Sequence, residues 1–322
     1  MSFNYNMDAE TISAPGVSGT DAPEHGTIVR KNETEEVHGH LSALFTILVW
    51  GTTYISTKVL LRDFKPVEIL MIRFIIGYGV LWLLYPHRIR YKNIREEFTF
   101  LLAGLSGVTV YYLLENIALQ YTMASNIGVL ITVAPFFTAI LSKVCGLQGE
   151  KTSVWFFIGF VLSMTGLCLL SFGGAGVQLH LFGDFLGLCA ALSWAVYSVL
   201  SKRITEFGYN VAGATRRIFS YGILFMIPAM AVFHFNPPLE KLKNPVILAN
   251  ILYLGIVASA ICFVVWNLAV RLIGVVKTSV YIYLTPVVTV ISSVLILHEK
   301  ITFAAGIGIV MTLAGLILSD RK

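Results

Sequence analysis

The sequence predicts an all-α membrane protein whose ten transmembrane helices form two inverted five-helix repeats. Three observations carry that expectation. Only 13% of the 322 residues are charged and 56% are hydrophobic, where a soluble domain has about 25% charged residues. Apolar segments of about 20 residues, the length that crosses roughly 30 Å of hydrocarbon, follow one another from residue 41 onward. The frame "NIALQYTMASNIGVLITVAP", residues 116–135, returns 151 residues later as "NLAVRLIGVVKTSVYIYLTP", residues 267–286, with an asparagine opening and a proline closing each copy.

Residues 1–40 hold seven of the 18 acidic residues and few large apolar side chains. Such a segment cannot bury enough surface to offset its ordering entropy and reads as a disordered tail. It lacks the basic start and apolar core of a secretory signal, so it is expected to stay on the chain in the cytoplasm, where the Asn32-Glu33-Thr34 sequon goes unused. Spans follow near 41–61, 66–85, 98–118, 122–142 and 153–172, which make the first repeat, and near 183–203, 213–234, 248–270, 277–297 and 302–319, which make the second. Short connections make neighbours antiparallel. With the tail inside, the inner segments hold sixteen Lys and Arg against five in the outer ones, led by "HRIRYKNIREE". Both termini are therefore expected in the cytoplasm of a cell with this chain in its plasma or inner membrane. The four cysteines stand apart in apolar surroundings and read as small buried hydrophobes.

The repeat extends beyond the opening frame. Residues 116–142 and 267–293 share eight identities in 27 positions, with Asn116/Asn267 and Pro135/Pro286 in register. Trp50, Lys58 and Arg73 recur as Trp194, Lys202 and Arg217, and Glu150, Lys151, Gly159 and Gly166 recur as Glu299, Lys300, Gly308 and Gly315. Five spans is an odd number, so the second copy enters from the opposite side. Inverted halves of this kind mark secondary transporters.

The stretches "VWGTTYISTKVLL", "RFIIG" from Arg73, "ALQYTMASNIGVLITVAPFFTAIL", "LSWAVYSVLSKR" and "SVYIYLTPVVTVISSVLILHEK" resemble the drug/metabolite transporter superfamily, most closely its ten-helix EamA-type permeases. The resemblance covers about residues 40–320, with His298-Glu299 where relatives usually carry Gly-Glu. It implies alternating access around a cavity lined mainly by spans one, three, four, six, eight and nine. It also implies that a ninth-span lysine can hold a substrate phosphate, as in phosphate-carrying relatives, a role that would fall to Lys277.

Candidate site residues are the polar and aromatic groups within the spans. Asn116 and Asn267 suit interhelical hydrogen bonding or substrate contact. Pro135 and Pro286 free a carbonyl and kink their helices. Asn126 and Lys277 open spans four and nine, where free amides and the dipole favour an anion, although Lys277 can equally snorkel to the interface. Glu115 suits a substrate amine or a proton if it lies deep, and is an ordinary end charge if it does not. Arg73 and Arg217 are read as coupling or gating groups that clamp a carbonyl or carboxylate near a cavity mouth. Trp50, Tyr54, Tyr112, Trp194 and Tyr281 are the aromatic candidates for substrate contact, and Trp50 with Trp194 comes first because the repeat keeps both. Gly159, Gly166, Gly308 and Gly315 allow close helix approach, within the chain or across a homodimer through spans five and ten.

No HExxH, paired CxxC, GxxxxGK or GxSxG pattern occurs, so no cofactor, metal or enzymatic chemistry is expected. The expected partners are a small-molecule substrate and the lipid bilayer, with no nucleic acid. The expected work is export of small organic metabolites, amino acids or related amphiphiles first, coupled to protons by elimination. The alternatives are exchange of sugar phosphates or other anions, which rests on Lys277, and a membrane receptor that transports nothing.

Overall fold

Helices account for all the regular structure among the described residues of the computed structural model, which are 33–89, 92–122, 124–147, 153–172, 180–297 and 303–319. The first, α1, runs from Glu33 to Leu60. It begins eight residues before the expected first span, so 33–40 are helical rather than part of a tail. Three glutamates, Glu33, Glu35 and Glu36, sit in its first turn, where the positive end of the helix dipole favours them. Residues 1–32, Glu150, Lys151 and 298–300 lie outside the described residues.

Helix α2, Pro66–Leu84, starts with proline at a position where the missing N–H costs nothing, and the Glu68 carboxylate accepts the Lys65 amide at 2.8 Å. Helix α3, Ile94–Gly104, is capped by Asn93, whose side chain accepts the Glu96 amide at 2.9 Å. It continues through a π-helical stretch, Leu105–Val110, into α4, Tyr111–Tyr121. The fourth span is divided into α5, Ala124–Ile131, and α6, Ala134–Val144, with the break immediately before Pro135. Helices α7, Val154–Phe172, and α8, Leu181–Glu206, follow.

Helix α9, Val211–Val232, is capped by Asn210 and contains Pro228 near its end. Helix α10, Pro245–Leu252, passes through a second π-helical stretch, Tyr253–Ile261, into α11, Cys262–Ile273. Gly274 then adopts φ +91°, a backbone state that side chains resist, and turns the chain into α12, Val275–Val280. A 3-10 turn at Tyr281–Tyr283 separates it from α13, Leu284–Leu297, which contains Pro286. Helix α14, Phe303–Ser319, is last.

Among the described residues, six helical stretches are long and apolar enough to cross a bilayer: 33–60, 66–84, 94–121, 127–144, 181–206 and 245–273. Shorter apolar helices lie at 154–169, 275–289 and 306–319. Large apolar side chains such as Leu83, Phe185, Ile227 and Val310 stay exposed on the outer surfaces, as expected where lipid is the solvent.

The glycine pairs lie where two helices approach closely. Helices α7 and α14 pack against each other. A Cβ on Gly159 would meet the Gly315 carbonyl at 2.5 Å, and one on Gly166 would meet the Gly308 carbonyl at 2.7 Å. These small faces pack against each other within the chain. The cysteines also differ from expectation, since Cys262 is buried while Cys145 and Cys168 are exposed. Cys168 lies on the outer face of a membrane helix, which for a small apolar side chain is no more costly than the core.

Candidate functional site

The centre of the bundle is a cavity of about 40 Å³, lined by Trp50 and Tyr54 of α1, Tyr111, Tyr112 and Glu115 of α4, Ile131 of α5, Trp194 of α8, and Ile282 and Thr285 near the start of α13. Spans one, three, four, six and nine thus contribute to it. Four of the nine sequence candidates for substrate contact line it: Trp50, Tyr54, Tyr112 and Trp194.

Aromatic rings make the wall. Trp50 meets Trp194 edge-on with centroids 5.2 Å apart and lies 5.1 Å from Trp266, while Phe263 stands 5.7 Å from Trp50. Tyr111 packs on Trp194 at 4.9 Å. Edge-on contacts of this kind hold rings more firmly than burial alone. The Trp50 indole is also tied by its Nε1–H to the Ala258 carbonyl at 2.9 Å, in the π-helical stretch where helix carbonyls are out of α register. The Trp194 Nε1–H is buried and has no acceptor among the described residues.

Glu115 is buried inside the bundle, with 7% of its surface exposed. The Tyr111 hydroxyl donates to its Oε1 at 2.9 Å, four residues back on the same helix face. No lysine or arginine pairs with it among the described residues. Arg73, only 2% exposed, stands behind the adjoining ring: its guanidinium lies 4.6 Å from the Tyr112 ring centre and 5.4 Å from that of Phe74, and its Nε donates to Ser259 Oγ at 2.9 Å. A buried carboxylate and a buried guanidinium thus flank one tyrosine pair without touching.

The other candidates are placed elsewhere. Asn267 does not line the cavity. Its Oδ1 accepts Tyr197 at 2.9 Å and Ser201 at 2.6 Å, and its Nδ2 donates to Thr215 at 3.0 Å, so it fastens α8, α9 and α11 together. Asn116 is 1% exposed and also lies off the cavity wall, with its Nδ2 unpartnered among the described residues. Lys277 donates to Glu36 at 2.9 Å, and Tyr281 is bonded to His40 Nδ1 at 2.7 Å. Both therefore join α12 and its following turn to the start of α1, above the cavity. Arg217 is fixed by Glu97, with contacts of 2.6 Å, and by the Ile89 carbonyl at 2.8 Å. The helical backbone at Asn126 is described, but its side chain lies outside the described residues.

Several anchoring groups escaped the sequence reading. Glu68 accepts the Asn236 amide at 3.0 Å and Lys65 Nζ donates to the His234 carbonyl at 2.9 Å, and Lys241 meets Asp63 at 2.8 Å. Together they tie the connection after α1 to the one after α9. At the opposite end Tyr209 donates to Glu96 at 2.5 Å and Tyr221 donates to Glu97. Carboxylates in the first turn of a helix were the available signal, but their partners are more than 100 residues away.

A family model described as the EamA-like transporter family matches residues 37–172 and again 181–319. The chain belongs to this family. It is thereby a multi-pass membrane transporter of the drug/metabolite transporter superfamily rather than an enzyme. It is 30% identical to an uncharacterized transporter of Archaeoglobus fulgidus, over 88% of this chain and 97% of that one. A protein of Streptantibioticus cattleyicolor named "Probable terminal-alkyne amino-acid exporter" is 24% identical over 87% of this chain and 92% of its own length. One solved crystal structure, 19% identical, superposes with a TM-score of 0.71 over 87% of this chain and 97% of that chain, which speaks to the fold alone.

Proposed function

We propose that this EamA-family transporter is a secondary active exporter of small organic metabolites with a basic amine, amino acids or related amphiphiles first. It works by alternating access between two inverted five-helix halves in the plasma or inner membrane, with both termini cytoplasmic. The observation that carries the reading is the central cavity. Glu115 supplies a buried carboxylate, the surrounding rings attract an ammonium group through their faces, and the unsatisfied Trp194 indole offers a donor for an acidic end. The exporter name of the Streptantibioticus relative points the same way.

Ligand sites are commonly about 300–1,000 Å³, whereas this cavity is about 40 Å³ and holds a few waters at most. The cavity in this conformation is therefore too small for such a substrate, which enters only when one end opens. Glu36 with Lys277 and His40 with Tyr281 form the contacts that part at one end; the Asp63, Lys65 and Glu68 contacts part at the other. A carboxylate alone in the cavity also serves as the coupling group, carrying a proton on the return when no amine is bound. The anion-exchange alternative is weaker, since Lys277 is paired with Glu36 and the cavity's own charge is negative.

The test is uptake of a labelled amino-acid and amine panel into proteoliposomes with and without an imposed pH gradient. Saturable uptake that collapses with the gradient and disappears in Glu115→Gln supports the reading. Exchange of a phosphorylated anion lost in Lys277→Ala, with no movement of any amine, replaces it with the alternative.

A further inference from the structure

A second polar cavity lies at the end of the bundle where α2 leaves the membrane and α9 enters it. It measures about 160 Å³, four times the central one, and is lined by Tyr78, Arg88, Ile89, Arg216, Arg217 and Ser220. We propose that it binds the phosphate headgroup of an anionic phospholipid.

The charge comes first. Three guanidiniums face one carboxylate, Glu97, which pairs with Arg217, leaving two net positive charges. The Arg216 contacts cancel none of this, because they are to the neutral carbonyls of Tyr85 and, at 2.6 Å, His87. Those bonds instead hold the guanidinium in one orientation, and they use two of its five N–H donors. Arg88 is exposed and has no ion pair among the described residues. Planar guanidiniums held in place are the groups that best match a phosphate oxygen pair.

The surroundings separate a lipid from a soluble phosphate. Ile75, Gly79 and Trp82 are exposed along α2, and Ser220, Leu224 and Ile227 are exposed along the adjoining α9. Their spacing places each set on one helix face. Both stripes start at the arginines and run toward the middle of the membrane, and Gly79 has open space beside it. A headgroup at the arginines thus continues into acyl chains along apolar surface. Basic pockets between membrane helices hold lipid phosphates in this manner.

The experiment is native mass spectrometry of the purified full chain titrated with phosphatidylglycerol, with phosphatidylcholine of the same chains, and with inorganic phosphate. Phosphatidylglycerol is expected to bind in preference to phosphatidylcholine. Arg88→Gln should weaken that binding about fivefold, the factor carried by one charge near an anionic surface. Arg88→Lys should restore most of it, and Ser220→Phe, which fills the cavity without removing charge, should lose it. Lys241→Gln, at the other end of the bundle, should bind as the wild type does. Equal affinity for the two lipids, or an Arg88→Gln protein that binds phosphatidylglycerol undiminished, overturns the proposal. If inorganic phosphate binds as tightly as phosphatidylglycerol and Arg88→Gln weakens both alike, the site belongs to a soluble anion and the lipid assignment falls. Because binding is read directly, these outcomes are independent of whether the amine-export reading survives.

Discussion

Arg73 and Arg217 occupy matching places in the sequence repeat and do different work in the structure. Arg217 is matched by a carboxylate: Glu97 neutralises it, Tyr221 supports Glu97, and the Ile89 carbonyl takes a further donor. Arg73 pairs with no carboxylate among the described residues and is held by the Ser259 hydroxyl and by the rings of Phe74 and Tyr112. The asparagines divide the same way, with Asn267 saturated by three neighbours and Asn116 left with an unanswered amide. A duplicated chain needs one set of polar groups to hold helices together and one to remain free for chemistry. In these two pairs the second-half residue is the one fastened by its neighbours.

That division can be broken by substitution. The largest expected contrast is between Arg217→Gln and Arg73→Gln. The first strands Glu97 in a largely buried position and should lower stability by about 2–3 kcal/mol, read as thermal unfolding in detergent, while the protein that remains folded still transports. The second should leave thermal stability near the wild type and reduce transport. The opposite pattern would mean that Arg73 is the structural member of the pair.

Next is Asn267→Ala, which leaves Tyr197, Ser201 and Thr215 without their shared partner and should cost about 1–2 kcal/mol. Asn116→Leu removes an unsatisfied donor and should be neutral or stabilising, within about 0.5 kcal/mol. Equal losses at the two positions would show that Asn116 has a structural partner after all.

A smaller effect is expected where α1 meets α12. Glu36 and Lys277 are both partly exposed, so a double-mutant cycle should give a coupling of about 0.2–1 kcal/mol that shrinks as salt is added. The same cycle on transport rate tests whether this contact closes one end.

The smallest effect concerns pH. The hydrogen bond and charge of Asp63 raise the Lys241 ammonium above its ordinary value. A raised value in the folded state means that its contribution is complete at neutral pH and is lost only as pH rises through the lysine range. Lys241→Gln should therefore lower stability slightly at neutral pH and remove the decline that the wild type shows as pH rises through the lysine range.

Much of the fold was legible because membrane spans are long and nearly uniform in hydropathy. The start of α2 at Pro66 and the interruptions shortly before Pro135 and Pro286 fall where proline chemistry puts them. Two things were not legible. A π-helical stretch adds less than a residue per turn, and neither 105–110 nor 253–261 differs in composition from ordinary helix. The helical residues 33–40 meet Lys277 and Tyr281 through Glu36 and His40, across 241 residues of sequence, and those partners cannot be inferred from the polar run itself.

The site was legible as a set of residue types but not as an arrangement. Trp50, Tyr54, Tyr112, Glu115 and Trp194 converge on the cavity, which the repeat and the spans that carry them suggested. Asn267, Lys277, Tyr281 and Arg217 have the same polar character, yet neighbours on other helices claim them first. Which buried polar group is already satisfied depends on three or four distant side chains, and periodicity along one helix carries no trace of them.

The tryptophans give this protein its own optical reporter. Of the five, Trp50, Trp194 and Trp266 lie ring to ring around the cavity, while Trp82 and Trp155 are exposed on the outer surface. Three indoles at such distances share their electronic excitation, and the outer two do not join them. On the proposed alternating-access reading, opening the centre would separate the coupled rings and admit water to the indoles. The near-ultraviolet dichroism and the emission wavelength of the unlabelled chain should therefore shift together when an end opens, and a lipid-soluble quencher should reach only the outer pair.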